Sequence, residues 1–374
     1  MYRWSRSEIS GNRIVVLNTG SLFSRQPAPL IGLDVSSSSV KLVELGRDRA
    51  GNLVLDRCGI EPFERGWIKD GNIENFDDVV TATRRLLSRA GSRTKHVAMA
   101  LPASAVISKK IILPGGLNER EMEVQVEAEA NQYIPFSLDE VTLDFCVVGP
   151  SATSPGDVEV VIAASRKEKV EDRRGLAEAA GLLPVVIDVE SYAARLAAGR
   201  VVKRLPGGGA DALIALFEIG ALTSTMQVLR NDDLIYERDQ VFGGAQLTQM
   251  LVRQYGFTHD EAENKKRAGE LPADYAATVL GPYVESLAQE VERALKFFFT
   301  STPHHRVDYI LLAGGTASLP GLREAVTQHT TFACQVVNPF HGMALGRSVR
   351  EKKMLREAPS YLTACGLAMR RFLR

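Results

Sequence analysis

Two segments of this chain join a carboxylate at the end of an apolar strand to a turn of small residues. The first reads Leu30-Ile-Gly-Leu-Asp34-Val-Ser36-Ser37-Ser38-Ser39-Val-Lys41-Leu-Val-Glu-Leu45. The second, in the other half, reads Leu213-Ile-Ala-Leu-Phe-Glu218-Ile-Gly220-Ala-Leu-Thr223-Ser-Thr-Met-Gln-Val-Leu229. Turns of Ser, Gly and Thr leave backbone N–H groups and hydroxyls uncovered, which is what a cradle for a phosphate chain needs. Carboxylates at Asp34 and Glu218, facing each other across a cleft, would hold Mg2+ through water, because Mg2+ is usually bound by one or two carboxylates plus substrate phosphates. Either hairpin alone reads better as a polar turn facing solvent; their recurrence is what reverses the preference toward binding. A third candidate is Ala313-Gly314-Gly315-Thr316, after an apolar run over 307–312. Glycines there let a flat ligand lie on the backbone because no Cβ intervenes, although turns commonly use a Gly-Gly pair.

Each hairpin is followed by a polar turn and a third strand, over 52–60 and 234–241, so the chain carries a duplicated three-stranded meander. The period is far longer than the roughly 20–50 residues of solenoid repeats, which implies two similar lobes. Between the meanders, Phe76, Val79, Val80, Leu86 and Leu87 share one side of a helix over 76–90, ahead of a strand over 95–101 that stops at Pro102. Strands over 106–113, 141–148 and 158–165, a helix from the N-cap Asn118 to about 133, and a helix over 167–180 describe a small α+β module. In the second half, Gly243-Gly244 opens a helix carrying Leu247, Leu251 and Tyr255, and Thr258 caps the next one over 259–268. Val284, Leu287, Val291, Leu295 and Phe298 recur at helical spacing and read as core.

A chain of 374 residues suggests two to three domains with ample core. Lys+Arg 45 against Asp+Glu 45 gives no whole-protein field toward nucleic acid or an anionic membrane, so nucleic acid is not an expected partner. Cys58, Cys146, Cys334 and Cys365 are scattered without a CxxC pair and read as small buried hydrophobes in a reducing compartment. His304-His305 lacks a third ligand nearby in sequence, which argues against zinc. No apolar run approaches the length of a transmembrane helix, and residues 1–27 read as a poorly ordered leader. A cytoplasmic location follows, unless a partner tethers the chain.

The order of these segments resembles the actin-like ATPase superfamily, which includes actin, Hsp70, sugar kinases and the cell-division protein FtsA. The stretches 30–42, Glu129-Ala-Asn-Gln-Tyr-Ile-Pro-Phe136, Val186-Ile-Asp188-Val-Glu190, which reads as a linking helix start, Gly243-Gly-Ala-Gln-Leu-Thr248, Ala262-Glu-Asn-Lys-Lys266 and Leu311-Leu-Ala-Gly-Gly-Thr316 are similar, more closely, to the PilM family of type IV pilus assembly proteins. They run in order over about residues 28–374. The resemblance implies an α/β actin-like ATPase fold: a first lobe over 28–205 with an inserted SHS2-like α+β subdomain at about 101–183, and a second lobe over 206–340 with a helical insert at about 244–300. Residues 341–374 would return to the first lobe. It also implies binding of ATP with Mg2+ between the lobes and capture of the cytoplasmic N-terminal segment of PilN. The chain would then be a scaffold of the inner-membrane pilus platform that supports twitching motility, with other platform proteins and further copies of itself as possible partners. The PilN segment would dock in a groove beside the inserted module.

Carried onto this chain, the resemblance places Asp34 and Ser36, Ser37, Ser38 and Ser39 in a first phosphate loop, and Glu218, Gly220 and Thr223 in a second. Gly243 and Gly244 would lie near phosphates or ribose, Glu263 and Lys266 near ribose or adenine, and Gly314, Gly315 and Thr316 beneath the adenosine. Lys41 would neutralise phosphate charge or, as an ordinary strand residue, point to solvent. Glu263 and Lys266 read also as an i,i+3 surface pair. Glu190 sits where the superfamily's water-orienting residue is found. Two departures count against hydrolysis: Ser36 stands where many members have Gly, and Glu218 where they have Asp, one methylene longer than strict Mg2+ geometry favours. The expectation is nucleotide binding with slow or absent turnover. Two alternatives remain: a small-molecule kinase, for which Asp188 is the one candidate acid, and an FtsA-like membrane tether, which needs an amphipathic basic C-terminal helix. Tyr361, Ala364, Cys365, Ala368 and Phe372 form one stripe near Arg370, Arg371 and Arg374, read here as packing on the first lobe.

Overall fold

A computed structural model describes residues 3–4 and 28–373. The expected leader over 1–27 lies outside the described residues except for Arg3–Trp4, whose backbone pairs antiparallel with Val147 and Cys146. The chain divides into two compact units, Met1–Ala194 with Ala344–Ser348 and Thr363–Arg374, and Arg195–Met343 with Val349–Leu362.

In the first unit, apolar and β-branched runs pair as an antiparallel meander of Ile31–Ser36, Ser39–Arg47 and Leu53–Pro62. His96–Leu101 and then Leu183–Val189 add in parallel beside Ile31–Ser36, and Ala344–Leu345 adds on the far edge. The segment 186–189, expected as the start of a helix, is instead strand. Its run of Val185, Val186, Ile187 and Val189 suits a buried parallel strand, and the helix begins only at Glu190. Helix Phe76–Ala90 is stopped by Gly91 at a φ of 63°, a left-handed cap that glycine adopts without Cβ strain. It buries Val79, Val80 and Leu86 against the sheet. The inserted module is a second sheet, ordered Arg3–Trp4, Val141–Pro150, Asp157–Arg166, Val106–Pro114. Helix Glu119–Ala130 covers it, started by a reciprocal capping box between Asn118 and Glu121. Met122, Val126 and Ala130 pack there on Ile111, Phe145, Val160 and Ile162.

The C-terminal helix Leu362–Met369 is apolar on every face, not amphipathic. Leu362, Ala364, Cys365, Leu367 and Ala368 are all buried. In the first unit this helix lies so close to strand Ile31–Ser36 that a Cβ on Gly32 would stand 2.1 Å from the Ala364 carbonyl oxygen. A helix in this position presents no apolar stripe to a membrane, which removes the basis of the tether alternative. Among the described residues no helix is long and apolar enough to cross one.

The second unit repeats the strand order of the first. Ile214–Ile219, Ser224–Arg230 and Asp233–Gln240 form the meander; Tyr309–Ala313 and then Ala333–Val336 add in parallel. Its core is closed by the long helix Gly281–Ser301, whose Val284, Leu287, Val291, Leu295 and Phe298 are buried as the spacing predicts. His304 stacks on Phe298 with ring centroids 5.8 Å apart.

Candidate functional site

In the first unit the hairpin turn is held by side chains. Asp34, on the last pairs of strand Ile31–Ser36, is only 4 % exposed, and a carboxylate so buried needs a partner. Lys41, paired across the hairpin, supplies it: Nζ donates to Asp34 Oδ2 at 2.7 Å and to Ser36 Oγ at 2.9 Å. Ser36 Oγ in turn donates to the Ser39 carbonyl at 3.1 Å. Lys41 therefore does not point to solvent. It neutralises Asp34 at the mouth of the turn, and so makes that carboxylate a weaker ligand for Mg2+ than the sequence suggested. Ser37 and Ser38 are half-buried at the tip.

The same unit holds a buried cation that sequence reasoning missed. Arg173, on helix Lys167–Ala179, is 2 % exposed and donates through Nη2 to the Gly71 carbonyl at 2.8 Å and through Nε to Ala100 at 3.3 Å. Burial lowers its pKa, while the carboxylates of Glu190, Asp172 and Asp34 act to raise it. Glu190, at the first turn of its helix, thus sits in an electrostatic neighbourhood with Asp34 and a buried guanidinium. The signal was present: Arg173 falls on the same helical stripe as Val170, Leu176 and Ala177, a charge among apolar residues. Asp188, the kinase candidate, is committed elsewhere. Arg370 clamps it in a bidentate pair, 2.5 Å to Oδ2 and 2.9 Å to Oδ1, with the Val189 amide also donating to Oδ1. A carboxylate so engaged is poorly placed to accept a substrate proton.

In the second unit the loops are built by backbone. The Gly220 amide closes the turn onto the Thr223 carbonyl at 3.0 Å, and the Gly220 carbonyl accepts both the Gly244 amide at 3.0 Å and Thr316 Oγ1 at 2.8 Å. A Cβ on Gly243 would stand 2.6 Å from the Gly220 oxygen, and one on Gly244 2.8 Å from Thr316 Oγ1. Gly314 has φ 87° and would place a Cβ 2.3 Å from the Ile219 oxygen. Three loops thus approach one another at distances only glycine permits. Gly220, Gly243, Gly244, Gly314 and Thr316 are brought together; Gly315 is exposed beside them, and Thr223 is exposed on the turn. Glu218 is half-buried on the strand leading into it.

Glu263 and Lys266 form the i,i+3 pair, and it is half-buried. Lys266 Nζ donates to Glu263 at 2.5 Å and to Thr248 Oγ1 at 2.8 Å, and Thr248 Oγ1 also bonds Glu263. Burial alone would raise the Glu263 carboxyl, but Lys266, Thr248 and Arg267 together hold it below the ordinary range. Thr248 was not singled out by the sequence, although its place one turn into the Gly-Gly helix marks it as inward-facing.

With this geometry in view, the sequence matches the family of type IV pilus assembly protein PilM over residues 32–372. The chain belongs to the PilM family. Among solved structures, a chain of the PilM-PilN type IV pilus biogenesis complex is 28% identical, covering 91% of this chain and 98% of that one with a TM-score of 0.75. The ethanolamine utilization protein EutJ from Carboxydothermus hydrogenoformans is similar in fold at 18% identity, with 92% and 90% of the two chains covered and a TM-score of 0.55. The paired meander-plus-parallel-strand units are those of the actin-like ATPase fold, and the PilM family places this chain in pilus assembly rather than among kinases or membrane tethers.

Proposed function

We propose that this chain is a nucleotide-binding scaffold of the type IV pilus assembly platform, which grips the cytoplasmic N-terminal segment of PilN and is held at the inner membrane by that partner. The observation that carries the reading is the likeness, over nine-tenths of the chain, to a protein solved in a PilM-PilN complex. The inserted module supplies an independent sheet, with Lys109 over the Tyr133 ring and Arg166 over the Phe136 ring, beside which a short extended segment would dock.

The residues present fit a nucleotide. Gly220, Gly243, Gly244 and Gly314 let three loops close on one another, Thr316 ties its loop to Gly220, and Glu263 with Lys266 offers a preformed polar group suited to a ribose or base. Asp34, Ser36 to Ser39 and Lys41 would serve phosphates from the first hairpin, and Asp34 and Glu218 would hold Mg2+ through water. A bound ATP would contribute a triphosphate charge that orders these loops. The Asp34–Lys41 pair and the longer Glu218 favour binding over turnover, with Glu190 as the residue to orient any attacking water.

The test is a titration of the purified chain with a labelled peptide copying the N-terminal segment of PilN from the same organism, with and without Mg-ATP. Binding at micromolar or tighter Kd, about 8 kcal/mol, supports the scaffold, and a nucleotide-dependent change in affinity reports coupling between the two ligands. No binding in either state overturns the partner assignment. Phosphate release on the order of 10 per second, abolished by Glu190→Ala, would replace the scaffold with an enzyme.

A further inference from the structure

We propose that Tyr283 is a positioning residue for the nucleotide's phosphates, acting through its hydrogen bond to the Gly243 carbonyl. The inference rests on the nucleotide-binding reading above and adds a residue that neither the sequence motifs nor the family resemblance assigns. Tyr283 OH donates to Gly243 O at 2.9 Å from a side chain that is only 2 % exposed. That oxygen lies in the Gly-Gly turn that opens helix Ala245–Tyr255, where it also accepts the Gln246 amide at 3.2 Å. The turn is thus held from both sides. The Gly244 amide fixes it to Gly220 O, which also accepts Thr316 Oγ1, and Tyr283 fixes it to the long helix behind.

A structural device sets Tyr283 up for this role. A π-helical turn, Ala276–Leu280, immediately precedes the long helix, and the Gly281 amide closes it on the Ala276 carbonyl, five residues back. A turn with one extra residue changes the rotational phase of everything after it, and single π turns in α-helices are frequent at functional sites. Tyr283 follows two residues later and inherits that phase. Burial raises its phenol above the ordinary tyrosine range, so the hydroxyl stays protonated and able to donate throughout the neutral range. If the hydroxyl served packing alone, the core around Val284 and Leu287 would accept a phenylalanine with no effect on ligands.

The experiment measures the Kd of ATP, ADP and adenosine for the full-length chain and for Tyr283→Phe. The substitution removes one oxygen and keeps the ring. The expected result is about a tenfold loss for ATP and ADP, a typical cost for one buried hydrogen bond, with adenosine affinity unchanged. Equal losses for all three ligands, or none, overturn the positioning role. If the wild-type chain binds no nucleotide at all, the fault lies with the nucleotide reading instead. A second measurement needs no variant: in wild-type protein with tyrosine labelled at the phenol carbon, ATP should shift the Tyr283 resonance and adenosine should not. An unmoved resonance with bound ATP counts against the proposal even where Tyr283→Phe fails to fold.

Discussion

The first hairpin, around Asp34, is fixed by side chains, whereas the second, around Gly220, is fixed by the backbone of neighbouring loops. In the first, Lys41 closes Asp34 and Ser36, and the turn residues are serines that need no unusual conformation. In the second, Thr316 and the Gly244 amide converge on one carbonyl, and Gly243 and Gly314 permit approaches that any side chain would block. The same pattern extends outward. The first unit is also latched by an ion pair between Arg370 and Asp188, while the Gly243 turn of the second is stapled by Tyr283. Duplication has therefore kept strand order and let the chemistry of the turns diverge. A charge-closed turn can change with ionisation or a competing ion; a backbone-closed turn presents fixed dipoles that need little reorganisation when a ligand arrives.

The contrast predicts that the second unit suffers most from a single added methyl. Gly314→Ala places a Cβ 2.3 Å from Ile219 O, 2.7 Å from its carbonyl carbon and 2.8 Å from its nitrogen, in a left-handed conformation that alanine resists. Backbone cannot give way as a flexible side chain can, so urea unfolding should report a loss of about 4 kcal/mol. A loss under about 1 kcal/mol would mean that this loop is not rigidly held.

For the first unit, charge pairs should carry the larger effects. Arg370→Met leaves Asp188 buried without its bidentate partner, and a cost of about 3 kcal/mol is expected from breaking such a pair. A double-mutant cycle with Asp188→Asn separates the pair from lost packing: if the two losses simply add, the latch is not an interaction. Lys41→Met should cost less, about 2 kcal/mol, because Lys41 makes one hydrogen bond to Asp34 where Arg370 makes two to Asp188. It should also weaken ATP binding, and a variant of wild-type stability and affinity would remove the distinction between the two hairpins.

Much of the fold was legible in the sequence because local signals and tertiary pairing agreed. The meanders, the N-caps at Asn118 and Thr258 and the apolar stripe from Val284 to Phe298 all depend on short-range patterns. The strand Leu183–Val189 was misread because a short β-branched run before a helix start carries no period of its own; only its parallel pairing with His96–Leu101 decides it. The edge strand Ala333–Val336 went unread for the same reason. Within the candidate site the glycines and carboxylates were visible as motifs, while their partners were not. Arg173 meets Gly71 and Ala100, and Tyr283 meets Gly243, from far away in sequence, so no spacing rule could join them.

The smallest predicted effect marks where the contrast stops. The second unit does hold a charge cluster, Thr248, Glu263 and Lys266, but on helices behind the turns rather than in the hairpin. Its contribution should follow pH in a defined direction. The Glu263 carboxyl sits below its ordinary value of 4.5, so the stability it contributes is complete above that pH and is lost as pH falls through the lowered folded value. Thermal melts of wild type and Glu263→Gln from pH 7 to pH 3 should therefore differ by about 1 kcal/mol near neutrality, as for one charge-assisted hydrogen bond, and converge in acid. Parallel curves would show that the folded protein does not favour ionised Glu263, leaving the cluster without an electrostatic role in holding the helix that follows the Gly243–Gly244 turn.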